Sequence, residues 1–210
     1  MKKLILLLSF LGIISISFAQ FIPKVGMTVS DITYAYSNIT LEPNFGFLFG
    51  VAYNKALGKN RFSVQPELLF VQKGAKNKYY TDIDNNFKIE YRINYLEIPI
   101  LFKYSIGKAK RFYLTGGPSL GIVIGGHTEF KGTNNGEYFD RNWEAPKFGV
   151  ETPEAFKRYD FGAQLGGGVL LANKIVIDLR CSRSLTTINS GEPYRNIAAQ
   201  LSVGIPISKK

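Results

Sequence analysis

Residues 158–171 separate by parity into two kinds of position. Tyr159, Phe161, Ala163, Leu165, Gly167, Val169 and Leu171 form one set; Arg158, Asp160, Gly162, Gln164, Gly166, Gly168 and, near the end, Leu170 form the other. A period of two marks a β-strand whose faces meet different surroundings. The polar face is mostly glycine with a few compact polar groups, not the Lys, Glu and Thr of a wetted surface. Such a face suits a narrow, crowded interior. The apolar face is then the outside, and an apolar outside faces lipid.

Seven more segments read the same way. Val25, Met27 and Val29 oppose Gly26, Thr28 and Ser30 in 24–32; Phe45, Phe47, Phe49, Val51 and Tyr53 oppose Gly46, Gly50, Ala52 and Asn54 in 45–57. Phe62, Val64, Leu68 and Phe70 oppose Ser63, Gln65 and Glu67 in 61–74; Leu96, Ile98, Ile100 and Phe102 oppose Tyr95, Glu97 and Lys103 in 89–105. Residues 112–124 set Leu114, Leu120 and Ile122 against Thr115, Gly117, Ser119 and Gly121. Residues 175–184 set Ile177, Leu179 and Cys181 against Asp178, Arg180 and Ser182, and 197–207 set Leu201, Val203 and Ile205 against Gln200, Ser202 and Gly204.

The connections alternate in length. Stretches near 33–44, 75–88, 126–157 and 186–194 are long and rich in Asn, Thr, Gly and charge, whereas those at Gly58-Lys59-Asn60, Gly107-Lys108-Ala109 and Asn173-Lys174 are tight. Long external loops and short periplasmic turns are the asymmetry of outer-membrane barrels. The pattern predicts an all-β protein: a closed antiparallel up-and-down transmembrane β-barrel of about eight strands, OmpA/OmpX-like in architecture. Tyr34, Tyr36, Tyr91 and Tyr159 towards the loops, and Tyr53, Phe62, Tyr104 and Phe112 towards the turns, read as interfacial girdles. A soluble lipocalin-like barrel would require Lys- and Glu-rich outer faces, which these segments do not carry.

The first residues agree with this location. Lys2-Lys3, an apolar run from Leu4 to Ile16 and Ser17-Phe18-Ala19 read as a secretory signal peptide over 1–19, with the barrel domain over 20–210. The run is shorter than the roughly 20 residues of a helical span. Removing Lys2 and Lys3 takes two from a formal net charge of +10. On a secreted chain without a clustered Arg/Lys helix, that balance points to outer-membrane lipid and lipopolysaccharide as partners and away from nucleic acid. Cys181 is the only cysteine, so no disulfide forms within the chain.

Three stretches go beyond pattern: Ser63-Val64-Gln65-Pro66-Glu67-Leu68-Leu69-Phe70-Val71-Gln72-Lys73-Gly74, Tyr95-Leu96-Glu97-Ile98-Pro99-Ile100-Leu101-Phe102-Lys103-Tyr104, and Gly116-Gly117-Pro118-Ser119-Leu120-Gly121. This series resembles the PorT-like family of outer-membrane β-barrel proteins over nearly all of the chain beyond residue 19. The resemblance implies residence in the outer membrane of a Gram-negative cell and a part in protein secretion or envelope assembly. The tail Ile205-Pro206-Ile207-Ser208-Lys209-Lys210 departs from outer-membrane barrels in lacking a terminal aromatic.

Candidate chemistry is sparse. Gly117-Pro118-Ser119-Leu120-Gly121 matches the nucleophile-elbow string, but it falls inside a strand pattern, with His127 close behind and no acid between them. One His and one Cys cannot supply a zinc site, so no metal and no cofactor is expected. Asp82-Ile83-Asp84-Asn85-Asn86 opens like a calcium loop and then lacks its glycine. Trp143, in the longest loop, is the candidate for external contact. The informative charges are Glu67, Glu97 and Arg180, all of lumen parity. A hairpin centred near residue 82 sets the two carboxylates directly opposite, which requires a cation or a shared proton, and Arg180 is placed to reach them. The expectation is a non-enzymatic barrel with a filled lumen, a structural or interaction protein of the envelope. The alternatives are a small-solute channel and a rim-sited enzyme using His127.

Overall fold

The computed structural model describes residues 19–33, 42–58, 61–82, 85–107, 111–134, 136–144, 157–172, 174–187 and 194–207. They form β1 (Ala19–Thr33), β2 (Glu42–Ala56), β3 (Phe62–Asp82), β4 (Asn85–Ile106), β5 (Phe112–Asn134), β6 (Glu137–Glu144), β7 (Tyr159–Leu170), β8 (Val176–Ser184) and β9 (Arg195–Gly204). Eight of these close a ring. Each pairs antiparallel with the next, β5 passes to β7, and β9 returns to β1 through Met27 opposite Leu201. Closure leaves the ring no free edge, as hydrocarbon requires of a spanning sheet.

Side chains alternate as the pleat dictates. β9 runs strictly exposed–buried over its whole length, with Ile197, Leu201 and Val203 outside and Ala198, Gln200 and Ser202 inside. Leu165 projects most of the large apolar groups, at 72% exposed. Near the short turns Phe62 meets Tyr104 (centroids 4.9 Å apart) and Phe21 meets Tyr53 (5.1 Å). Tyr91 belongs elsewhere: it pairs with Ala75, which is buried on the inner face, so it is not part of an outer girdle. At the turns Gly58 (φ 70°) and Gly107 (φ 80°) adopt the left-handed backbone that a side chain would resist.

Two stretches expected as loops are strands. Residues 75–82 and 85–88 continue β3 and β4 as one hairpin, and 126–134 with Glu137–Glu144 forms a second hairpin, so β6 is a ninth strand outside the ring. β3, β4, β5 and β6 thus rise as a four-stranded sheet beyond the level where β5 parts from β7, at Ile122 opposite Tyr159. Above that level the outer face of the sheet turns polar, with Lys76, Lys88, Glu90 and Arg92 paired on it, so the apolar/polar alternation fades while the pairing continues. A bulge at Ile124, between Asn94/Gly125 and Tyr95/Val123, marks the change. Trp143 sits on β6 opposite Thr128, not in an irregular loop. The stretches 34–41, 145–156 and 188–193, with residues 1–18, lie outside the described residues.

The β3–β4 register also differs from expectation. The hairpin closes through Asp82 and Asn85, so Leu69, not Glu67, stands opposite Glu97. The turn lies one residue further along than the polar run suggested, which displaces every facing pair by two and keeps both carboxylates inside.

Candidate functional site

The charges of the lumen gather towards the periplasmic half of the barrel. Arg180, 1% exposed, projects from β8 and places Nη1 2.9 Å from Glu67 Oε2 on β3. Glu67 Oε1 takes hydrogen bonds from Lys24 Nζ of β1 (3.0 Å) and Gln65 Nε2 (2.6 Å). Lys24 also pairs with Asp178 Oδ2 of β8 at 2.5 Å. Gly204 on β9 pairs with Lys24, and a Cβ there would crowd Ile22 Cγ2 (2.7 Å), the Pro23 carbonyl (3.0 Å) and Lys24 Cγ (3.1 Å). Asp178 in turn accepts the Tyr113 hydroxyl of β5. Lys103 of β4 lies 3.4 Å from the Tyr113 ring centroid and donates to Gln65 Oε1 at 3.3 Å.

Glu97 makes no hydrogen bond or ion pair with Arg180 and has its own partners, Lys73 Nζ at 2.6 Å and Gln200 Nε2 at 3.2 Å. The two carboxylates are diagonal neighbours, Glu67 held by two cations and Glu97 by one. A third centre lies closer to the external end. Asp160 accepts from Ser184 Oγ (2.7 Å), Asn196 Nδ2 (3.0 Å) and Thr186 Oγ1 (3.2 Å), and Asn196 also donates to the Tyr95 hydroxyl (2.9 Å). Small apolar clusters also pack in the lumen, Leu48 with Leu69 and Val71, and Ile93 with Tyr95 and Val123.

The sequence pointed to Glu67, Glu97 and Arg180 and not to Lys24, Lys73, Asp178 or Tyr113. All four have lumen parity. Lys73 meets Glu97 within the β3–β4 hairpin, but joining Lys24 of β1 and Tyr113 of β5 to Asp178 of β8 needs the closed ring, which no local pattern contains.

The structure does not bring Ser119 and His127 together as a nucleophile and its base. Ser119 is buried mid-strand opposite Gly162 and Pro99, where the elbow needs a strand-to-helix turn. His127 is exposed on β5, its backbone paired with Arg92 and Glu144. Among the described residues no three His, Cys, Asp or Glu side chains converge as a metal site. What the cluster does is bind β1, β3, β4, β5 and β8 together across the lumen. Among the described residues Arg180 Nη2 and Gln164 Nε2 have no hydrogen-bond partner, so the network is not fully saturated.

A closed ring with lipid-type outside, ionic inside and strand-only spanning fits one family model. The Outer membrane protein beta-barrel domain matches residues 16–190. The chain belongs to that family. It is an outer-membrane protein, and the charged cluster described above is the interior of an outer-membrane barrel. No curated protein matches this barrel in sequence. Solved structures similar to it include Ail, the attachment invasion locus protein of Yersinia pestis (13% identity, 90% of this chain and 99% of that one, TM-score 0.46). Another is OprG from Pseudomonas aeruginosa (14%, 91% and 96%, TM-score 0.41). A third is Neisserial surface protein A (10%, 90% and 99%, TM-score 0.42).

Proposed function

We propose that this outer-membrane barrel is a non-enzymatic structural or interaction protein of the cell envelope, contacting its partner through the sheet that rises from β3 to β6. The observation carrying this reading is the asymmetry of the rim. On one side β3, β4, β5 and β6 extend well past the level where β5 parts from β7, whereas β7, β8 and β9 end near Tyr159, Ser184 and Arg195. A paired sheet presents side chains at fixed spacing, and fixed presentation lowers the ordering cost of binding. Tyr138 at its tip is 70% exposed. The side chains spanning the lumen argue against a conducting role, and the PorT-like resemblance favours secretion or envelope assembly. In the same reading residues 1–19 are cleaved and the mature chain begins at Gln20.

The experiment is site-specific photo-crosslinking in intact cells from position 138, with Leu201 on the lipid face as the comparison. Capture from 138 of one envelope protein, whose binding to the purified barrel is lost on Tyr138→Ala, supports the reading. Steady conductance of the wild type in planar bilayers would replace it with a channel. Turnover of a lipid or peptide that vanishes in His127→Ala would replace it with an enzyme.

A further inference from the structure

On β8 the outward column runs Ile177, Leu179, Cys181, Arg183 and then Leu185, which is 65% exposed. Arg183 is the one charge in that column, and it lies at the end of β8 far from the short Ala172–Lys174 turn, towards the external leaflet. It stands opposite Ala163 on β7 and Ile197 on β9. Arg195 lies two positions from Ile197 on the same exposed face, a diagonal neighbour at roughly 7–8 Å between backbones. Further out, exposed Lys157 donates from Nζ to Thr187 Oγ1 at 2.7 Å, which brings a third cation above the same wall. Exposed Tyr159, Phe161 and Leu185 intervene.

We infer that Arg183, Arg195 and Lys157 form a binding site for the phosphorylated headgroup of a lipid in the outer leaflet. Among the described residues neither guanidinium has a hydrogen-bond or ion-pair partner for its side chain. The carboxylate on the adjoining wall is Asp31, opposite Ile197, and its Oδ1 accepts the Ile32 N–H at 2.7 Å. Among the described residues the local balance therefore stays positive. A cation on a barrel's lipid face is costly at the midplane and tolerable near the interface, where a long side chain carries its charge to the headgroups. An arginine there still has five donors to satisfy, and its planar fork matches phosphate oxygens two at a time. The cations alternate with exposed apolar side chains on the bilayer side, not on the lumen side, so the anion that fits is one with acyl chains attached. The inference rests on the outer-membrane location alone and is independent of any role for the projecting sheet.

The test uses the full mature chain folded in a neutral detergent, with lipid retention read by native mass spectrometry. The probes are bisphosphorylated lipid A and the same lipid stripped of phosphate. Wild type should retain one lipid A, and stripping the phosphates should lower its apparent affinity about tenfold, equivalent to about 1.4 kcal/mol. Arg183→Gln combined with Arg195→Gln and Lys157→Gln should give a similar loss, while Arg61→Gln with Lys174→Gln at the opposite end should change nothing. Far-ultraviolet circular dichroism confirms the fold of each variant. Should the triple variant fail to fold, Arg183→Gln alone should still lose severalfold, and the stripped lipid tests the wild type directly. Equal retention of both lipids, undiminished binding by the folded variants, or displacement of the lipid by millimolar pyrophosphate would overturn the assignment.

Discussion

Arg180 and Glu67 lie 113 residues apart in sequence and 2.9 Å apart in space, one on β8 and the other on β3, across the width of the lumen. Lys24 completes the unit by bridging Glu67 to Asp178. Removing one member strands the others. Arg180→Met leaves Glu67 and Asp178 to share Lys24, and breaking a buried pair in this way costs about 3–5 kcal/mol, less where water enters. Glu67→Gln should partly rescue it by restoring one anion to one cation. Urea unfolding of the single and double variants in lipid vesicles gives the coupling; strictly additive effects would reject the network.

Gly168 tests the lumen's packing. A Cβ there would overlap the Tyr113 hydroxyl and the Ile177 carbonyl, and Tyr113 is what Asp178 holds. Gly168→Ala should destabilise the barrel by about 1–3 kcal/mol, the usual cost of overpacking. Gly125 has nothing within 4 Å of the equivalent position, so Gly125→Ala should be close to neutral. Thermal melts of the two variants decide it; equal losses would contradict the inward placement of Tyr113.

Strand parity made the ring legible because lipid and lumen differ so strongly that each strand sorts its residues. It also turned Glu67, Glu97 and Arg180 inward. Two things escaped. In Lys76-Asn77-Lys78-Tyr79-Tyr80 polar residues fall on both parities, so extended strand and loop look alike in sequence. The pairing of Lys24 with Asp178 depends on closure between the first and last strands, a non-local fact. The two-residue error at Glu97 came from the turn, whose polar run Asp82-Ile83-Asp84-Asn85 allows several centres.

The outer wall gives a sharper contrast. Leu165 and Leu201 are exposed on the lipid side, whereas Ser202, the residue after Leu201, is buried. Leu165→Arg or Leu201→Arg should cost roughly 2–4 kcal/mol near the midplane and reduce the assembled fraction in outer-membrane preparations. The same substitution at exposed Tyr138, beyond the bilayer, should leave assembly intact. Full assembly of Leu201→Arg would put that face elsewhere than against lipid.

The projecting sheet carries its own pH dependence. Glu90 on β4 is buried and accepts from Arg92 Nε (2.7 Å) and Lys88 Nζ (3.2 Å), with Lys76 Nζ at 3.8 Å. Burial alone would raise its carboxyl, but the hydrogen bonds and charges of Arg92, Lys88 and Lys76 outweigh it and hold the group below the usual glutamate range. A depressed carboxylate stabilises the fold above its unfolded value, roughly 4.3, and that contribution is lost as pH falls through the folded value. Its partners are partly solvated, so the effect should not exceed ~1 kcal/mol. Amide protection over 85–94 and 125–134 should drop on moving from neutral pH to the acid side of that range, while protection in the membrane-embedded part of β9 holds. Glu90→Gln should show the lowered protection already at neutral pH and little further change in acid. An acid response in Glu90→Gln as large as in the wild type would assign the sensitivity to another group.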